Sequence, residues 1–523
     1  MVVRDKTKLD SSCEGPARLH VGAAGLPPGQ MPRPHEVRWR AKAGDRAPII
    51  LLEFNELCPP LLEKWMAEGQ LPNFKAFHDS SSVFVTQADA ETAPYLEPWI
   101  QWYSLHTGLS YQQHNVFHLT DGLLAEHEDI WHLLAERGWT VANCASINAK
   151  ELERPGCFFL PDPWCGSDKT NPADLRIFSR LVSHYVREHT NEGSSLGVKS
   201  HLSFLMFMVL HGLRVGTIGH VLRQLMRDTL IDRSSRWKRA TVLDKMQFDV
   251  FRHYYRRVGP SLSTFFLNST AHFQHTYWRH MAPEAFRERP SDQDLARYEN
   301  AILFGYRQMD GLLADFYKLE QEGAMLIMAS ALSQQPYLKY EYIGGHRFYR
   351  LRNLEKFLDA FDIAYSAVFP VMANHYLVRF PDERSTARAE RILRSFKYNG
   401  LDVFGFSKSE PLTLYFGSQI RTEVPEDGQI QTSGRPEDCL GFHKLFYKIS
   451  ETKSGCHHPD GVLWVKTGKH IRHNDKVSIL DVFPTILDYF DVGLLAGTRN
   501  AYMGKSLWPM ILENGRVDAE ISE

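Results

Sequence analysis

The run IILLEF (49–54) constrains the fold more than any other stretch of the sequence. A strand with one wet face alternates apolar and polar residues, whereas a nearly uninterrupted apolar strand belongs inside a parallel sheet covered on both sides. Further segments extend the pattern. PLLEKWMAEG (60–69) reads as a helix, followed by LPNF (71–74), and SSVFVTQ (81–87) as a strand. PWIQWYSLHTG (98–108) is a helix, and IWHLLAERG (130–138) another, stopped by Gly138 before the strand WTVANCAS (139–146). The sheet resumes at STFFLNST (263–270) and, after a long helix at 296–323, at GAMLIMAS (323–330). GVLWVKTG (461–468) is a later strand, and SILDVFPTILDYFDV (478–492) a strand end leading into a helix. This alternation predicts an α/β fold, with a mainly parallel central sheet flanked by helices.

Two stretches interrupt the alternation. Residues 170–258 are helical and rich in Arg and His, and residues 337–455 mix HYLVRF (375–380), ARAERILRSF (387–396) and LTLYFG (412–417). They predict a helical insertion and a small α+β lid within one domain spanning 47–512, with tails at 1–46 and 513–523. The Gly-, Pro- and Arg-rich segment 1–46 has no periodicity and predicts a disordered tail. Lys plus Arg number 60 against 62 Asp plus Glu, a net charge of −2, which argues against a chain that lives on nucleic acid or on anionic membranes. The longest apolar stretch, SFLMFMVL (203–210), is far short of the ~20 residues that span a bilayer. No transmembrane segment is predicted, and the amphipathic surroundings of 203–210 leave room for a weak peripheral membrane contact. Seven scattered cysteines without a CxxC pair, and no apolar leader, predict a reducing, cytoplasmic setting.

Four strings in order resemble the alkaline phosphatase superfamily, in its phosphodiesterase/nucleotide pyrophosphatase branch. They are LLEFNEL (51–57) with GQLPNF (69–74), then HTGLSYQQHNV (106–116), then FFLNSTAHFQH (265–275). The fourth is HHPDGVLWVKTG (457–468), followed by SILDVFPTILDYF (478–490) and MGKSL (503–507). The resemblance implies an alkaline-phosphatase-like fold and a site at the carboxyl ends of the strands, where open α/β sheets place ligands. It also implies two divalent metals, usually zinc, held by three Asp and three His around a Thr or Ser nucleophile.

Carried over position by position, that site is depleted of acids. The first Asp falls on Asn55, or on its neighbours Glu53 and Glu56; the Asp-x-x-x-His pair falls on Asn268 and His272; a third Asp falls on Ala331, beside Leu332. The last His is kept as His457, next to His458, and His275 follows His272 in HFQH. The nucleophile position lands on Pro98, with Thr92, Glu97 and Ser104 nearest. Removing three carboxylates takes away the charge that balances two dications. Unless Glu53, Glu56, Glu97, Asp89 or Glu91 moves in, a two-metal site does not fill. One metal, most readily zinc, held by His272, His457 and a glutamate is compatible with the donors that remain.

Two functions follow as expectations. In one, the chain hydrolyses a phosphoryl or sulfuryl ester through this remodelled site, with Glu97 or Thr92 as base or nucleophile and Asn55 and Asn268 as hydrogen-bond donors to the substrate. Ser333, Gln334 and Gln335 then form a neutral wall. In the other, the chain is catalytically silent and its cleft binds a polar or anionic small molecule or a protein partner. Neutral explanations exist for each residue: Asn55 as a turn former, Glu97 as a helix-start acid, and His114 as a loop cap. The basic, aromatic GGHRFYRLR (344–352) either meets an anionic substrate or is a solvated patch. Cys58, followed by Pro59 and Pro60, lacks the sulfatase Cys-x-Pro-x-Arg setting, and neither a P-loop nor a dinucleotide fingerprint is present.

Overall fold

A computed structural model of the chain describes residues 46–187, 196–369, 371, 375–407, 411–432, 440–449, 453–493 and 502–512. The predicted tails, Arg46 apart, lie outside the described residues. The frame is a nine-stranded sheet. Its strands are β1 (Ile49–Phe54), β2 (Ser81–Gln87), β3 (Val141–Cys144), β4 (Phe158–Leu160), β5 (Leu262–Leu267) and β6 (Met325–Ser330). Two short strands outside this sheet, β7 (Ser333–Pro336) and β8 (Gly455–His458), precede β9 (Asp460–Lys466), β10 (Ile471–Arg472) and β11 (Val477–Ser478). The order across the sheet is β10–β2–β9–β6–β1–β5–β3–β4, with β11 also on β2. Every pairing is parallel except those of β9, which runs antiparallel to both β2 and β6.

The apolar run that set the expectation is the centre of this sheet. All six residues of β1 are buried, between β5 and β6. Ile49 and Leu51 face a core shared with Trp102, Leu105, Trp131, Phe483 and Ile486, supplied by helices Pro98–Thr107, Ile130–Glu136 and Val482–Tyr489. On the other face, Phe54 meets Phe74 edge-on at 6.3 Å, and Phe265 packs between Phe251 and Phe316. Each buried side chain of this size contributes about 1.5–3 kcal/mol. Gly461 on β9 is needed for close packing: a Cβ there would collide with the Ser330 carbonyl on β6.

Two expected boundaries shift. The single helix read over 296–323 divides into Asp292–Tyr298 and Ala301–Gln321, because Asn300 leaves helical geometry and starts the second helix. LPNF opens a helix, Pro72–His78, with proline at its first turn, where the missing amide is not needed. The stretch read as a helical insertion holds helices from Arg176–Arg187 to Ala240–Val258. The second insertion carries an antiparallel four-stranded sheet of Ala367–Phe369, His375–Arg379, Thr413–Ser418 and Phe404–Phe406, with its own core around Phe357, Phe396, Phe404 and Phe416. Its ends are tied together: β7 pairs antiparallel with β8, setting His457 opposite Gln334 and His458 opposite Ser333. Among the described residues, no helix is long and apolar enough to cross a membrane.

Asp244, on helix Ala240–Val258, gives the fold a pH dependence. It is buried and accepts a hydrogen bond from Ser269 Oγ, and burial pushes its carboxyl from 3.8 up to about 7. Below about pH 4 both folded and unfolded chains hold this proton; between about 4 and 7 only the unfolded chain releases it, so stability falls as pH rises and then levels off. Asp244→Asn removes that loss. Urea unfolding should show the variant gaining up to about 4 kcal/mol over the natural chain between about pH 4 and pH 7.5, and an unchanged difference would refute the assignment.

Candidate functional site

The site forms where β1 ends. Asn55 still donates its backbone amide to Leu267 on β5, but Glu56 turns into the left-handed region at φ 61°. A non-glycine residue holds that conformation at a cost of about 1 kcal/mol and needs surrounding contacts to fix it. Three are present. Gln274 Nε2 donates to the Glu56 carbonyl at 2.7 Å, Asn55 Nδ2 donates to Glu56 Oε1 at 3.0 Å, and Gln334 Nε2 donates to Glu56 Oε2. The chain then leaves through Leu57, whose amide donates to Ser330 Oγ, into helix Pro59–Ala67. The turn therefore delivers a buried carboxylate to the carboxyl ends of the strands.

Two imidazoles face that carboxylate. His275 Nε2 lies 3.2 Å from Glu56 Oε2, and His457 Nε2 lies 3.7 Å from Glu56 Oε1. The potential ligand atoms of Glu56, His275 and His457 all fall within 4.8 Å of one another. The far side of each ring fixes its tautomer. His275 Nδ1 is 3.0 Å from the Gly455 carbonyl, and His457 Nδ1 is 2.8 Å from the Leu96 carbonyl. A carbonyl only accepts, so each Nδ1 carries the proton, and in a neutral ring Nε2 presents a bare lone pair. Burial holds His457 neutral, pushing it down to about 3. Burial alone would raise Glu56, but His275, His457 and the Gln334 amide hold it down at about 2. Two imidazole nitrogens and a buried carboxylate oxygen within 4.8 Å of one another are an arrangement a cation completes, and backbone carbonyls that accept from Nδ1–H are the usual second layer of a metal site.

The sequence-derived residues sort around this centre. His457 is in it; the second imidazole is His275 rather than His272. The reason is helical phase. A helix begins at Ser269, and its Ala271, Gln274 and His275 form the face toward Glu56 and Gln334, while His272 sits outside that face, its ring 5.7 Å from Phe273. Asn55 is beside the site, but its side chain is spent internally: Nδ2 serves Glu56 and Asn268 Oδ1 (2.7 Å), and Oδ1 accepts from Trp102 Nε1 (2.8 Å). Asn268 thus has its amide nitrogen left to offer a ligand. Gln334 forms part of the wall. Ser333 is buried, and Gln335 Nε2 donates to the His457 carbonyl. Thr92 lies exposed in the turn that precedes Glu97.

Glu97 stands just before helix Pro98–Thr107 and places Oε2 3.5 Å from His457 Nδ1. Burial pushes it up to about 7; Lys453 pulls against this and Glu56 adds to it. The other acids have different partners. Asp89 accepts from the Tyr111 amide, Glu91 is exposed, and Glu53 meets His106 Nε2 at 2.8 Å in the core beneath the sheet. His114 is a loop cap, accepting from the Val116 amide and bonding Ser104. Sequence reading missed Trp102, Gln274 and Lys453; Gln274 stood in HFQH, and only its helical spacing from Ala271 would have pointed it at the site.

Because Glu53 and His106 form a buried pair separate from the site, His106→Leu should leave metal binding unchanged. It should destabilise the fold by about 3–5 kcal/mol in denaturant titration, since it strands a buried carboxylate. A loss of metal binding without a loss of stability would overturn this separation.

No protein-family model matches the chain, and no curated protein is similar to it at a significant level. It is similar to solved structures. Human ectonucleotide pyrophosphatase/phosphodiesterase 5 is 10% identical over 88% of this chain and 98% of that one, with a TM-score of 0.39. Phosphonoacetate hydrolase from Sinorhizobium meliloti is 12% identical over 86% and 95%, with a TM-score of 0.35. A variant of the alkaline phosphatase PafA is 13% identical over 89% and 99%, with a TM-score of 0.40. These are structures of the alkaline phosphatase superfamily, the one the sequence strings resemble.

Proposed function

We propose that the chain hydrolyses small phosphoryl or sulfuryl esters at a site holding one divalent cation, zinc, on Glu56, His275 and His457. The observation that carries this reading is the pair of Nε2 atoms directed at a buried carboxylate, with both Nδ1 atoms facing backbone carbonyls. Two imidazoles and one carboxylate are the protein ligands of a catalytic zinc set. A divalent cation there supplies Lewis-acid stabilisation of the charge that develops on the ester oxygens.

The chain's own groups do the rest. Glu97, at the rim, receives the proton of the attacking water on its carboxylate. The Asn268 amide nitrogen, its oxygen fixed by Asn55, donates to an ester oxygen. Lys453, close enough to act on Glu97, adds positive charge that favours an anionic substrate. The free thiols of Cys58, Cys144, Cys157, Cys165 and Cys456 suit a reducing compartment such as the cytoplasm.

Elemental analysis of the purified chain should find about one zinc. Glu56→Gln or His457→Ala should weaken its binding about tenfold to a hundredfold. Glu97→Gln should keep the metal and slow hydrolysis of aryl phosphate or sulfate esters about 10²–10⁴-fold. About two metals per chain would refute the single-cation site. No metal and no hydrolysis would refute the enzyme and leave a cleft that binds an anionic ligand.

A further inference from the structure

The helical insertion carries an outward apolar face that the proposed chemistry does not use. Of the 25 large apolar residues exposed among the described residues, 13 fall between Val198 and Ile231, from Ile218 at 39% to Val215 at 84% exposed. They form stripes. On helix Val198–Leu210, residues Leu202, Leu205, Met206 and Val209 point outward while Phe204, Phe207 and Met208 are buried. On helix Val215–Met226, residues Ile218, Leu222, Leu225 and Met226 follow the same spacing, and Leu230 and Ile231 continue it. These helices are held in place from behind: Phe178 stacks on Phe204, and Arg214, between the helices, pairs with Asp249 and Asp315. The apolar faces are therefore presented by packed helices, and isolated surface hydrophobics do not account for them.

Charge identifies the occupant. Residues 198–239 hold eight Lys or Arg and two Asp, in a chain whose net charge is −2. Both acids are already engaged, Asp228 by Arg239 and Asp232 by Ser234. Lys199, Arg223, Arg227 and Arg236 are exposed and form no salt bridge with a described residue. A second copy meeting this face would bring like charges together. A nucleic acid would want aromatic platforms, and the exposed apolar residues here are all aliphatic or Met. We infer that this face docks on an anionic phospholipid surface, its aliphatic side chains entering the interface and its Lys and Arg meeting phosphate headgroups.

Co-flotation of the full chain with vesicles tests this. The chain should float with phosphatidylcholine vesicles containing phosphatidylglycerol, much less with phosphatidylcholine alone, and should be released by high salt. Arg223→Glu with Arg227→Glu, and separately Leu205→Glu with Leu222→Glu, should each lower binding at least about tenfold with the melting temperature unchanged. Absence of binding to the anionic vesicles, or equal binding by the natural chain and both variants, would overturn the inference. So would a concentration-dependent dimer that Leu205→Glu abolishes, which would give the face to a second copy.

Discussion

The site depends on one buried carboxylate and what surrounds it. Glu56 sits at the end of the central strand in a backbone conformation that non-glycine residues seldom adopt, and its oxygens meet amide donors on one side and imidazoles on the other. A buried anion is expensive unless charge or hydrogen bonds compensate it. Two amide hydrogens do part of this. The remaining compensation falls to whatever lies between Glu56 and the two Nε2 atoms, a proton or a cation.

Residues far apart in sequence reach this point because the segment between β7 and β8 is pinned at its base. β7 and β8 close the loop that carries the α+β unit, and the ribbon places Gln334 and His457 as direct neighbours. Gly455 lets the ribbon lie against helix Ser269–Met281: a Cβ there would collide with Gln334 and with the Gln274 backbone. That contact brings His275 beside His457, ring centres 5.1 Å apart.

Much of the frame was legible in the sequence. IILLEF, SSVFVTQ and GAMLIMAS declare themselves because strands buried on both faces tolerate few polar residues. His457 and Gln334 were also marked, by the strings around them. The sequence left Glu56 as one alternative to Asn55, because the choice rests on a single backbone dihedral that composition does not encode. It favoured His272 over His275, because strand-end spacing was carried past residue 268 where a helix had already begun. The antiparallel sense of β9 and the break at Asn300 likewise depend on packing partners rather than local pattern.

The most direct test is an anomalous-difference map from crystals of the chain grown with zinc, recorded at the zinc edge. The account predicts one peak, about 2.0–2.2 Å from a Glu56 oxygen and from the Nε2 atoms of His275 and His457. A second peak beside Asn55 and Asn268, an ion held by His272 instead, or no ion among these three side chains would contradict it.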